Sequence, residues 1–129
     1  MTDPVSDTAA IFEISKAATF DAAHYISAGP EEHRYRRLHG HSFRVEATVR
    51  GAADAEAGWV VDLAALDAAL GAAARQLDHG LLNEQPGLET PTLERICLYF
   101  AGVLKPRFPG LSRIVVGRPS AGESCSLAL

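Results

Sequence analysis

From Ser42 to Arg50 the chain alternates without a break: Phe43, Val45, Ala47 and Val49 stand between Ser42, Arg44, Glu46, Thr48 and Arg50. Side chains of an extended backbone point to opposite faces in turn, so the pattern predicts a strand with one buried and one wetted face. Such a strand needs partners, and three other segments qualify. Within 11–20, Phe12, Ile14, Ala18 and Phe20 alternate with Glu13, Ser15 and Thr19, broken once at Lys16. Ile114, Val115 and Val116 make 111–118 rich in β-formers, and 123–129 alternates through Cys125, Leu127 and Leu129. Between the second and third strands the period changes to that of a helix. Asp62 can cap a first helix with the stripe Leu63, Leu66, Leu70, Ala73 and Leu77, which Gly71 weakens. Thr92 can cap a second with the stripe Leu93, Ile96, Cys97, Phe100, Val103 and Leu104, which Pro106 and Pro109 end. Leu98 and Tyr99 fall off that stripe, where a partner subunit could meet them. The order ββααββ predicts an α+β domain, a four-stranded antiparallel sheet carrying two helices on one face.

At 129 residues and 47% hydrophobic, the chain has material for one core and no more. We read residues 1–10 as a disordered tail and 11–129 as a single domain. A net charge of −4 argues against a broad nucleic-acid surface, and no apolar run reaches the roughly 18–20 residues of a membrane span. The first ten residues are polar and acidic, unlike a secretory signal. Cys97 and Cys125 fit no disulfide framework, and Cys97 reads as core filling. Together these features predict a cytoplasmic protein. Four open strands also leave two edges, which predicts a homo-oligomer.

Four of the five histidines fall between positions 24 and 41. His39-Gly40-His41 enters the second strand, and at i and i+2 both imidazoles project to one side. His24, at the end of the first strand, can face them. Three neutral imidazoles with a fourth position open are a catalytic zinc arrangement, although a His-x-His pair also occurs as plain surface chemistry. Arg34, Arg36, Arg37 and Arg44 crowd the same stretch with His33, either as a solvated loop or as a subsite for phosphate or carboxylate. Asp78-His79 reads as an oriented proton shuttle or as a helix end favoured by the dipole. Trp59 reads as structural.

These residues carry a resemblance. Phe20-Asp21-Ala22-Ala23-His24, Leu38-His39-Gly40-His41-Ser42-Phe43, Leu77-Asp78-His79 with Leu82-Asn83, Pro86-Gly87-Leu88-Glu89 and Pro91-Thr92-Leu93-Glu94 follow in order. The chain resembles the family of 6-pyruvoyltetrahydropterin and 6-carboxytetrahydropterin synthases from about Ile11 to Val116. The resemblance implies the tunnelling fold, trimeric barrels stacked into hexamers, and active sites at subunit interfaces. It also implies zinc on His24, His39 and His41, and a substrate like 7,8-dihydroneopterin triphosphate. Asp78 and His79 would serve catalysis, Thr92 would help bind substrate, and Arg36 and Arg37 would lie near the phosphates.

Two departures stand out. The family's reactive cysteine lies four residues before the first histidine of His-Gly-His, and here that position is Tyr35. Tyr35 thereby becomes a candidate catalytic residue with Asp78 and His79, although a phenol ordinarily ionises about three units above neutrality, which makes it a poor base there. The family's pterin anchor is a glutamate after the third strand. Ungapped, that position is Arg118; with an insertion over 118–122 it is Glu123. Glu123 is preferred, because the guanidine-like edge of a pterin needs an acceptor. Three functions remain in competition: a zinc-dependent pterin synthase or side-chain-cleaving lyase, a non-catalytic relative that binds a pterin-like or purine-like ligand, and a small metal-binding protein without a pterin site.

Overall fold

A computed structural model describes residues 10–129. All but the last residue of the expected tail therefore lies outside the described residues. Two long strands, β1 (Phe12–His24) and β2 (His39–Gly51), precede helices α1 (Leu63–Leu77) and α2 (Leu93–Leu104); strands β3 (Leu111–Arg118) and β4 (Glu123–Ala128) follow. The sheet runs β1-β2-β3-β4, antiparallel throughout, as the alternation predicts.

Both helices cover the sheet face that carries Phe20, Phe43, Val45, Ala47, Val49, Ile114 and Val116. Phe20 stacks on Phe43 at 5.0 Å between ring centroids, and Leu66, Leu70, Ile96 and Phe100 close over them without solvent contact. The opposite face is polar, with Ser15 and Thr48 hydroxyls bonded at 2.8 Å across the strands. Asp62 and Thr92 cap their helices by accepting from the amides of Ala64 and Arg95.

Three readings need adjustment. Strand β1 continues past Phe20 to His24 although Asp21, Ala22 and Ala23 are weak strand formers, because each pairs with β2 in unbroken register. That continuation sets His24 opposite His39. Leu63 and Val103 are 42% and 39% exposed, while Ala69, Ala74 and Ala101 are buried in the helix faces. Trp59 is 50% exposed, in a turn held by backbone bonds between Asp54 and Trp59 and between Gly58 and Asp54.

Candidate metal centre and active-site cleft

The paired ends of β1 and β2 bring His24, His39 and His41 together on the helix-covered side. Their rings stand 4.6–5.1 Å apart, and their ligand atoms all lie within 4.8 Å of one another. Phe43 supports the cluster from below through edge contacts to His24 and His41. The His24 Nδ1–H donates to the Pro91 carbonyl at 3.0 Å and the His39 Nδ1–H to the Arg37 carbonyl at 2.6 Å. Each bond fixes a tautomer and leaves Nε2 as a lone-pair donor, as metal-binding histidines are commonly held. The buried Nε2 atoms of His24 and His41 have no hydrogen-bond partner. An orphaned buried nitrogen is costly, and two of them converging with a third imidazole fit a metal ion. Burial holds His24 down at about 4. Burial, then the charges of Arg118 and His39, lower His41 as well. Both are thereby kept neutral, the form that ligates.

In front of the triad lies a cleft of about 780 Å³. One wall is the end of the sheet, with His39, His41, Arg118 and Glu123; the other is the 26–38 loop, with His33, Arg34, Tyr35 and Arg37. Arg118 and Glu123, which the sequence leaves as alternatives for one place, are cross-strand partners and both line it.

The loop wall is arranged differently from the expectation. Arg36 aims its guanidinium at the Gly29 and Pro30 carbonyls rather than at the cleft. Tyr35 stacks on His33 at 3.7 Å, and its hydroxyl packs against Gly29, where a Cβ would collide with it. Gly29 also has φ +82°, which a larger residue adopts poorly. Arg44 leaves the arginine group altogether and pairs with Glu46 on the opposite sheet face. Thr92 caps α2 outside the residues lining the cleft, beside the Pro91 carbonyl that holds His24.

Asp78 and His79 follow α1 as a bonded pair. His79 Nδ1 lies 2.9 Å from Asp78 Oδ2, while Asp78 Oδ1 accepts from the Asp21 amide at 2.8 Å. Ser42 donates to Asp21 Oδ1, so a line of polar groups runs from β2 through β1 to the imidazole. His79 has φ 58°, unusual for a side chain of its size, and its amide donates to the Asp21 carbonyl at 2.6 Å. The Asp21 amide, then His79, lowers the Asp78 carboxyl; the Asp78 carboxylate raises His79. The His79 side chain is 82% exposed. It opens on a second hollow with Asp21, Ser42 and Ser120, not on the cleft, and His41 borders both. The 80–83 segment is tied to the end of β1 by Ala23 N–H to Gly80 C=O and by both amide groups of Asn83 on the Tyr25 backbone.

Neither cysteine reaches these sites. Cys97 is buried between α2 and the sheet, which pushes its thiol up to about 12, and it donates to the Cys125 carbonyl. Sequence reasoning missed the Pro91 and Arg37 carbonyls, Asp21 and Ser42. Asp21, Ser42 and Pro91 carried a signal only as members of the quoted motifs, and Arg37 only as part of the arginine cluster.

A family model described as 6-pyruvoyl tetrahydropterin synthase matches residues 13–127. The chain belongs to this family. It is 38% identical over 109 residues to the 6-carboxy-5,6,7,8-tetrahydropterin synthase of Synechocystis, covering 80% of this chain and 83% of the relative. It is 34% identical over 93 residues to a dihydroneopterin monophosphate aldolase of Pyrococcus furiosus, covering 72% and 75%. The fold matches that of the Caenorhabditis elegans 6-pyruvoyl tetrahydropterin synthase with a TM-score of 0.80 at 20% identity, over 93% and 96% of the two chains. Membership makes this a pterin-synthase-like protein of a lyase-type enzyme family. No helix among the described residues is long and apolar enough to cross a membrane.

Proposed function

We propose that the chain is a zinc-dependent lyase acting on a dihydroneopterin carrying a phosphorylated side chain. The observation that carries the reading is the triad of converging imidazoles, two of them oriented by backbone carbonyls and two with buried, partnerless Nε2 atoms. Zinc held by His24, His39 and His41 would supply a Lewis acid for an oxygen of the substrate side chain. Glu123 accepts hydrogen bonds from the aminopyrimidine edge of the pterin. Arg37 and Arg34, exposed on the facing wall, take the phosphate. His79 exchanges protons with the side chain from its free nitrogen, while Asp78 holds the other nitrogen and steadies the imidazolium. The Asp78 carboxylate raises the His79 pKa from the ordinary histidine value, which favours the imidazolium as proton donor. Because His79 opens away from the cleft of its own chain, a neighbouring copy completes each site. The unpaired edges of β1 and β4 supply the contact for a trimeric or hexameric assembly.

Tyr35 favours side-chain cleavage, as in the aldolase relative, over the synthase outcome that eliminates phosphate. Its hydroxyl is packed on Gly29, so it does not replace a thiolate base. The same observation supports a second reading, a relative that binds the pterin without turning it over. Product analysis separates them: the zinc-loaded protein is incubated with dihydroneopterin monophosphate and triphosphate. The lyase reading expects a pterin with a shortened side chain. Retained substrate with measurable binding selects the second reading, and a substrate neither bound nor altered overturns both.

A further inference from the structure

Arg118 is the one charged residue lining the cleft with no task in the reading above, and its surroundings are unusual. Its side chain is only 19% exposed, and its buried Nε lacks a hydrogen bond of good geometry. The contact it does make is ionic, Nε to Glu123 Oε1 at 3.2 Å. The two residues are set by register: Arg118 ends β3, Glu123 begins β4, and the 119–122 turn, with Gly122 at φ +69°, brings them opposite each other. The Arg118 guanidinium therefore borders the cleft with its Nε engaged by one neighbouring carboxylate and its remaining N–H donors without a partner among the described contacts.

A partly buried guanidinium calls for an acceptor from a ligand, either an anion or a neutral carbonyl. Glu123 decides between them. A phosphate or carboxylate at the free side of Arg118 would sit close to the Glu123 carboxylate and be repelled by it. A carbonyl oxygen would not. Arg34 and Arg37, which have no ion-pair partner among the described contacts, suit the anion instead.

We infer that Arg118 and Glu123 together form the reader of a 2-amino-4-oxo pyrimidine edge. Glu123 accepts from the ring N–H and the 2-amino group, and Arg118 donates to the 4-oxo oxygen beside them. Donor and acceptors stand in the order that a pterin presents in complement. Arg118 is then a specificity residue that selects the 4-oxo ring over its 4-amino analogue, where amino hydrogens would face guanidinium hydrogens. The inference rests on Glu123 as the pterin anchor.

Fluorescence titration of the purified protein at pH 7 with pterin and with 2,4-diaminopteridine tests it. The wild type is expected to bind pterin about ten- to a hundredfold more tightly, the worth of one hydrogen bond to a charged group. Arg118→Met should lower the ratio several-fold, mainly by weakening pterin, leaving the part that Glu123 sets through the ring N–H, and Arg118→Lys should restore part of it. Circular dichroism reports whether each variant is folded. An unchanged ratio in Arg118→Met, with Glu123→Gln abolishing binding, overturns the inference and leaves the Glu123 anchor standing. Full binding of pterin by Glu123→Gln, or no binding of either pteridine by wild type, overturns the anchor and the inference with it.

Discussion

The two walls of the cleft are built on different principles. The sheet wall is written into strand register: His24 opposite His39, His41 two residues on, Arg118 opposite Glu123. Each imidazole there rests on Phe43 or on a backbone carbonyl, and the end of β1 is clamped by Gly80 and Asn83. Apart from the Arg37 carbonyl, which holds His39, the 26–38 wall holds itself. Tyr35 leans on Gly29 and His33, Arg36 ties down the carbonyls beside it, and a single backbone bond, Tyr35 C=O to Ile26 N–H, closes its base. Metal chemistry needs several groups held together within a fraction of an ångström, which paired strands provide. A loop wall can change its side chains, as at Tyr35, without disturbing the histidine cluster.

Breaking the sheet wall should have the largest effect. His39→Ala/His41→Ala is expected to lower zinc from about one ion per chain to none by elemental analysis, while the wild type purified without chelator retains it.

A gentler perturbation is acid. Buried neutral His24 takes up its proton near 4 in the folded chain but at its ordinary value when unfolded. The unfolded state therefore binds more protons between the two values. The stability of the metal-free protein should be full above about pH 6.5 and fall as the pH drops toward 4, by on the order of 3 kcal/mol. Thermal unfolding of the chelated protein across that window measures it, and His24→Gln should flatten the slope.

Asn83→Ala removes both bonds to the Tyr25 backbone. It should cost about 1–2 kcal/mol in urea unfolding and weaken zinc binding, because the end of β1 that carries His24 loosens. The smallest effect belongs to the loop wall. Gly29→Ala places a methyl group against the Tyr35 hydroxyl at a positive φ and should cost about 1 kcal/mol, with zinc affinity unchanged. A large loss of zinc in this variant would mean that the two walls are coupled.

The same division explains what could be read from the residues alone. Alternation in β2 and the stripes of α1 and α2 specify the layers, because burial of one face leaves little choice of register. His39-Gly40-His41 was legible for the same reason. The extension of β1 through Asp21-Ala22-Ala23 was not, since only pairing with β2 makes those residues a strand. The helix stripes erred at their ends, at Leu63 and Val103, where a face curves away from the core. Arg36 and Tyr35 carried the right chemistry for a site but face loop carbonyls and Gly29, contacts that depend on a turn whose path no periodicity encodes. The two carbonyls that orient His24 and His39 belong to backbone, which carries no residue signature.

The central claim is that proton transfer belongs to Asp78 and His79, and that Tyr35 has no part in it. Turnover of phosphorylated dihydroneopterin by zinc-loaded His79→Gln and Tyr35→Phe, measured side by side, tests it most directly. The account predicts a loss of about a hundredfold or more in kcat for His79→Gln, the usual worth of a general acid–base group, and a change of less than about threefold for Tyr35→Phe. Turnover abolished in Tyr35→Phe and retained in His79→Gln would contradict it.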